Sequence, residues 1–558
     1  MTIGEMPIRD YYLLVPPASY QINAFLLTFF GERISVLLAA GAINGLIFVL
    51  LLYKALLHGV SKFEAWVITI STILISVFNC SIFNFVFPYT FAMPYASSAF
   101  LGSLVCMLTF IDTKRLRHLL LASLFYGLSI SLKHEFILFG LILLITPILV
   151  KFKSKNWLLK SLLLAALPMS ASLIALTASG VEFAHWINFF EWFKNFINSP
   201  LLKAFYRRVG VYSIDPLVKY IYHTSLFFFV YAAAVCVWTY AGAPKFSQTA
   251  RRTSYSFLFI LCLLLPWHDG NTGFLWLGII ALAISLTAIL LSLLKEHKDG
   301  RLTKLCILIL SFCLAGTKTA TAPAVGLYGS IFWPYYWGAI GVSLTILYRL
   351  YPVDILNRLS RGTFFLLLAS SISLSNYRNL TLINIADKQI NSSNTTNSLK
   401  NRDIRDSIEN VFVPQTDYES LSPIFSIINH YRDGNSQLLV APEGSLINFI
   451  LRMPGFYGIH NLMPTFFLSF KPGEILNLFK SKPPHFILKN LAIRGEAAPY
   501  EVFGDNYAQD LMSEINQRYC KLYPDKTDAQ TATSKGLELW SNRMEDCSDL
   551  RHAVATNR

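Results

Sequence analysis

Apolar residues run in long blocks over approximately 32–53, 64–81, 94–111, 118–132, 135–151, 157–178, 219–241, 254–267, 272–294, 304–316, 333–349 and 362–377. Blocks of this kind predict about twelve membrane spans, because a helix needs roughly 20 apolar residues to cross a hydrocarbon core of about 30 Å. The short runs at 118–132 and 304–316 must borrow flanking residues to do so. Ahead of the blocks, Pro16 and Pro17 force extended backbone. Ile22, Phe25, Leu26 and Phe29 then follow at helical spacing until Gly31, the pattern of an amphipathic helix lying along a bilayer surface. A second such pattern, Trp186, Phe189, Phe190, Phe193 and Ile197, falls in the long stretch 179–215 and predicts another helix in the interface.

After the last block the pattern changes. "NSSNTTNSLKNRDIRD" is too polar to bury and reads as a solvated linker over 379–410. Beyond it, "SQLLVAP" and "HFILKN" predict buried strands, "GSLINFILRM" and "AQDLMSEINQRY" helices, and "LELWSN" a closing strand. The expected fold is therefore mainly α. A segment over 1–31 with a surface helix leads into a polytopic helical membrane domain over 32–378, followed by the linker and a small α/β domain over 411–558.

Composition agrees: the chain is 54% hydrophobic, 14% charged, with a mean hydropathy of +0.47, too apolar for a soluble protein. Charge is shared unevenly. To Arg378 there are 29 Lys+Arg and 13 Asp+Glu, a net of +16; the remaining 18 and 20 give −2, for the total of +14. The excess sits in alternate short loops, such as Lys114, Arg115 and Arg117, or Lys151, Lys153, Lys155 and Lys160, while 82–93 carries no charge and 317–332 only Lys318. Basic loops face the cytoplasm, so the bare loops, the N-terminal segment and the tail domain are expected outside a cytoplasmic membrane. A nucleic-acid partner, which needs a soluble basic face, is excluded on the same ground; membrane lipids are the expected surroundings.

Several positions on that outer side carry candidate chemistry. Lys133 closes the run "GLSISLKHEF" beside Glu135, and a cation there either serves a ligand or snorkels onto its neighbouring acid. Lys203, Arg207 and Arg208 form a basic cluster that could hold a lipid-linked phosphate or anchor to anionic lipid, two readings of equal weight. Lys318 and Tyr328 lie in "GTKTATAPAVGLYGSIFWP"; His268 and Asp269 read as a loop-ordering pair. No His or Cys set has metal-ligand spacing and no glycine-rich phosphate loop is present, so no soluble nucleotide cofactor is supported and divalent metal dependence stays open. Six of eight cysteines lie in or beside apolar blocks and read as packing residues. Cys520 and Cys547, in the tail, are expected to pair in an oxidising compartment.

The stretch "MPIRDYYLLVPPASYQINAFLLTFFG" resembles the first external loop of GT-C superfamily glycosyltransferases, a group that includes protein mannosyltransferases and lipid A aminoarabinose transferases. There an acid, a Pro-Pro pair and a surface helix precede the second span. The resemblance covers nearly the whole chain through short, degenerate motifs. It implies that the family's first span is missing ahead of Met1. It also implies a sugar carried on a polyprenyl phosphate, transferred to an acceptor outside the membrane. Lys133, in a "G-small-apolar-K" context, would contact the carrier phosphate; Asp10 would take the catalytic carboxylate role, or orient a neighbour; Lys318 and Tyr328 match a recurring "K…YG…P" segment. In the tail, "APEGSLINFI", "MPTFF" and "FGDNYAQDL" resemble bacterial GT-C tails with "PEG…N" and "FG-x-DYG", although Asp505-Asn506-Tyr507 breaks the second pattern. Glu443, Asn448, Asn461 and Asp505 are candidate acceptor contacts, with turn and cap roles as the alternative. Two other functions remain: a transporter or flippase for a lipid-linked saccharide, disfavoured by the lack of charges within the blocks, and a truncated, non-catalytic membrane protein.

Overall fold

The computed structural model describes residues 8, 15–77, 84–86, 88, 90–199, 202–203, 284–290, 300–315, 329–351, 361–364, 367–368, 371–372, 415–457, 459, 462–471, 473–490, 502–523 and 536–542. In the membrane part these form α1 (Ala18–Phe30), α2 (Ile34–Leu56), α3 (Lys62–Thr72, continued by a π turn Ile73–Val77), α4 (Ala92–Thr113), α5 (Leu116–Leu132), a 3-10 turn His134–Leu138, α6 (Phe139–Leu149), α7 (Trp157–Ala178), α8 (Phe183–Asn198), α9 (Gly300–Ala315) and α10 (Gly329–Leu350). Among the described residues, α2, α4 and α7 are long and apolar enough to cross a membrane. The predicted run 135–151 is divided: only eleven residues of it are α-helical, after a 3-10 turn that begins at His134.

The helices pack where small residues and buried aromatics allow. At Gly127 a Cβ would lie 2.0 Å from the Ala165 carbonyl oxygen, so only glycine lets α5 approach α7 this closely. The centre is aromatic. Phe100 of α4 stacks on Phe136 at 5.1 Å and meets Phe139 and Tyr335 edge-on, while Phe48 of α2 meets Phe85 and Tyr335. Outward lie bands of bare apolar side chains, Ile43, Leu46 and Leu50 on α2 and Leu159, Leu163, Leu167 and Ile174 on α7. Such surfaces are costly in water and unremarkable in hydrocarbon.

The two ends of this bundle are marked by different chemistry. At one end Lys304 of α9 donates to both carboxylate oxygens of Asp112 at the close of α4, at 2.7 and 2.5 Å, and His58 lies 3.6 Å from the same carboxylate. At the other end α1 is held across the helix ends. Tyr95 of α4 donates its hydroxyl to Asn23 Oδ1 at 3.0 Å, and Gln21 and Ser172 of α7 bond reciprocally.

The tail comprises α11 (Gln415–Tyr431), β1 (Leu438–Ala441), α12 (Ser445–Leu451), α13 (Pro464–Phe467), α14 (Glu474–Ser481), β2 (Phe486–Asn490), α15 (Gln509–Arg518), β3 (Cys520–Tyr523) and β4 (Leu537–Ser541). The sheet runs β1-β2-β4-β3, with β1 and β2 parallel and the other pairs antiparallel. Both faces are covered, which is why β1 and β2 read as unbroken apolar runs. Leu438, Val440, Phe486 and Leu488 pack with Ile424 and Ile428 of α11; Leu439, Ala441 and Ile487 pack with Phe479 of α14 and Leu511 and Ile515 of α15. The first of these clusters also takes in Ile34 and Leu38 from the start of α2, which joins the tail to the α1 end of the bundle.

Candidate functional site

At that same end the chain leaves α5 through Lys133, whose backbone turns to an extended conformation as the helix cap. Ser129 fixes the last turns by donating its hydroxyl to the Ala96 carbonyl at 2.9 Å, and Phe136 anchors the following turn in the aromatic core. The lysine is thereby held in place on both sides. Its side chain is only 11% exposed, and its ammonium lies 3.7 Å from Glu135, itself 24% exposed. The neighbouring acid therefore balances part of the charge, as the snorkelling reading requires.

The interfacial helix predicted around 186–197 is α8. Glu182 and His185 close its N-terminus as a reciprocal cap, the His185 Nδ1 accepting from the Glu182 backbone N–H at 3.0 Å. One side of α8 leaves Phe183, Ile187, Phe190 and Ile197 exposed, as a helix in contact with lipid would. The other side holds the tail domain: Trp192 and Phe196 pack on Phe466 and Phe470, and Glu191 pairs with Lys471 at 3.1 Å. Ile8, the one described residue ahead of residue 15, is buried against Leu176 and Val181 between α7 and α8. The helix α1, the segment bearing Lys133, α8 and the tail thus all belong to one end of the bundle.

Of the residues singled out from sequence, Asp10, Arg207, Arg208, Lys318, Tyr328, Asn461 and Cys547 lie outside the described residues. Glu443 sits half-buried just after β1, and Asp505 is exposed in the turn Val502–Tyr507, both in the tail. Asn448 has a structural role: its Nδ2 donates to the Leu438 carbonyl at 2.8 Å and ties α12 to β1. Cys520 is disulfide-bonded. Among the described residues no group of His, Cys, Asp and Glu is arranged to hold a metal ion. Sequence reasoning missed the aromatic clamp between α8 and the tail, whose tail half, "MPTFFLSF", carries two of the four rings.

No protein-family model matches the chain, and no curated protein sequence does. Solved structures similar to it include the oligosaccharyltransferase of Archaeoglobus fulgidus in the apo form, at 12% identity and a TM-score of 0.44 over 88% of this chain and 63% of that one. The same protein in complex with zinc and sulfate is similar at 13% identity and 0.40, over 87% and 61%. ArnT from Cupriavidus metallidurans bound to undecaprenyl phosphate is similar at 12% identity and 0.38, over 95% of this chain and 88% of that one. The chain spans about 63% of the length of the first of them.

Proposed function

We propose that this protein is an integral membrane glycosyltransferase that moves a sugar from a polyprenyl-phosphate donor to an acceptor outside the cytoplasmic membrane. The observation that carries the reading is Lys133, a cation 11% exposed at the cap of a helix end, on the side of the bundle where α1, α8 and the tail gather. A polyprenyl carrier lies in the bilayer with its phosphate at the surface, and a lysine held at that level by a helix cap and an aromatic anchor is placed to meet it. The acceptor hydroxyl oxygen attacks the anomeric carbon as the bond from that carbon to the phosphate oxygen breaks. A carboxylate, for which Asp10 is the candidate, takes the hydroxyl proton. Lys133, with Arg207 and Arg208, stabilises the electron pair that leaves on the lipid phosphate, and does so more strongly in a partly dry cleft than in water. Glu443 and Asp505 would lie on the acceptor side.

Donor binding to the purified full chain tests this. Lys133→Ala should weaken binding of a polyprenyl-phosphate sugar roughly 10–100-fold, the worth of one charge-assisted hydrogen bond, and Lys133→Arg should restore part of it. Joint Arg207→Ala and Arg208→Ala should weaken it further. Unchanged binding in all of these variants would remove this surface as the phosphate site.

A further inference from the structure

Basic side chains crowd one face at the Lys304 end of the bundle. The turn between α4 and α5 exposes Lys114, Arg115 and Arg117, and the turn between α6 and α7 exposes Lys151, Lys153 and Lys155. The fold sets these two turns side by side. Phe110, in the last turn of α4, meets Phe152 edge-on at 4.9 Å, and α5 runs on against α7 to their close approach at Gly127. Neither α5 nor α7 has an acid in its first turn, so the positive ends of both helix dipoles add to the charge of the turns. Asp112 is the one acid in 112–118 and 150–160, and it is bonded to Lys304.

Sidedness alone does not account for this arrangement. A lysine anywhere in a short loop serves to keep it in the cytoplasm, yet Lys114 and Lys151 both occupy left-handed backbone, at φ 51° and 52°, where glycine is the residue of least cost. The charged turns also open directly onto bare apolar surface. Leu121 of α5 and Leu158, Leu159 and Leu162 of α7 are all exposed within two turns of the helix starts. Cations at the level of the membrane surface, with exposed leucines immediately below them, fit a molecule that has an anionic head and apolar chains. We infer that the two turns form a binding site for an anionic phospholipid of the cytoplasmic leaflet. Its headgroup phosphate lies between the Lys114 and Lys151 turns and its acyl chains lie along the starts of α5 and α7. The site is at the other end of α5 from Lys133, and the inference does not rest on the proposed sugar transfer.

Lipid binding to the purified, delipidated full chain in neutral detergent tests it, with fluorescent phosphatidylglycerol and phosphatidylcholine as probes. Phosphatidylglycerol should bind roughly 10–100-fold more tightly, the worth of two or three basic side chains at an anionic headgroup, and the preference should shrink as salt is raised. Joint Lys114→Gln, Arg115→Gln and Arg117→Gln should remove most of it, as should joint Lys151→Gln, Lys153→Gln and Lys155→Gln; Lys133→Ala should leave it intact. Equal binding of the two lipids by the wild-type chain would overturn the inference, and so would a preference that survives both triple variants. Displacement of phosphatidylglycerol by sodium phosphate, but not by sodium chloride of matched ionic strength, would assign the turns to a free anion and remove the lipid. Should the triple variants misinsert, crosslinking of a photoactivatable phosphatidylglycerol to the wild-type chain decides: adducts within 113–118 and 151–160 support the site, and adducts confined to other segments refute it.

Discussion

Gln21 and Ser172 exchange two hydrogen bonds: the Gln21 Nε2 donates to the Ser172 carbonyl at 3.0 Å, and the Ser172 hydroxyl donates to Gln21 Oε1 at 2.5 Å. This pair fixes α1 across α7, as the Tyr95 hydroxyl fixes it to α4 through Asn23. A surface helix with exposed Phe25, Phe29 and Phe30 would otherwise be free to slide in the interface.

Gln21→Ala is expected to destabilise the protein by about 1–3 kcal/mol, since it removes one bond and strips the buried Ser172 hydroxyl of its acceptor. Adding Ser172→Ala should cost little more, because both partners are then gone. Thermal unfolding of the two single variants and the double variant gives the coupling energy; additive losses would show that the pair does not act together.

The clamp between α8 and the tail should depend on rings rather than charge. Trp192 is 4% exposed amid Phe196, Phe466 and Phe470, and Trp192→Ala is expected to cost about 3–5 kcal/mol. The Glu191–Lys471 pair has side chains 49% and 62% exposed, so Lys471→Ala should cost under about 1 kcal/mol. Limited proteolysis would read the first as release of the tail. A larger effect from Lys471→Ala than from Trp192→Ala would reverse this ranking.

At the opposite end, burial first, and then the charges of Lys304 and Lys54, hold the His58 pKa below its usual 6.5 against the pull of Asp112. The folded state thus takes up this proton less readily than the unfolded chain. As pH falls below about 6.5 the unfolded state is protonated first, and stability is lost until the pH passes the lowered folded value. His58→Gln should flatten that part of the stability profile, and Lys304→Met should move the transition towards 6.5. Asp112→Asn should cost about 1–3 kcal/mol: it strands Lys304, but Asp112 is 49% exposed, so the loss stays below that of a fully buried pair.

Cys520 is disulfide-bonded, and among the described residues Cys106, Cys306 and Cys313 are in no disulfide. Cys547 is its expected partner. Bridging the two closes a loop of about 26 residues around β4, worth roughly 3 kcal/mol in the chain-entropy model. Alkylation of unreduced, denatured protein should therefore leave both unlabelled, and Cys547→Ser should expose Cys520 to the reagent. Recovery of both tail thiols as alkylated residues from the wild-type chain would break the assignment.

What could be read from sequence followed the strength of each pattern. The spans α2, α4 and α7 and the strands β1 and β2 are continuous apolar runs, and their places were legible to within a few residues. The strand β3 was not: "CKLY" is four residues long at the edge of the sheet, with only Leu522 fully buried, too short for alternation to register. In the 135–151 run, hydropathy could not show that the chain pauses in a 3-10 turn, because that depends on Phe136 finding Phe100. Lys133 stood out as a cation beside an apolar run. Lys489 did not, since a lysine near a strand end ordinarily reaches solvent, whereas here it is 7% exposed with the Met512 sulfur of α15 at 3.9 Å.

The last prediction concerns sidedness. Lys471 of the tail pairs with Glu191 of α8 at 3.1 Å, and α8 follows directly on the C-terminal end of α7, so the tail and that end of α7 lie on one side. Lys153 lies in the turn before α7 and hence at its other end, where Lys151, Lys155 and Lys160 also cluster. A helix of 22 residues spans about 33 Å, enough to separate the two across a hydrocarbon core. Lysine-rich loops stay in the cytoplasm. A reporter joined at Lys153 should therefore be cytoplasmic, and reporters joined at Asn391 or Cys547 extracytoplasmic. Alkaline phosphatase is active only after export, so it should be silent at Lys153 and active at the other two positions. Activity at Lys153 would invert the molecule and take the proposed donor site to the wrong face of the membrane.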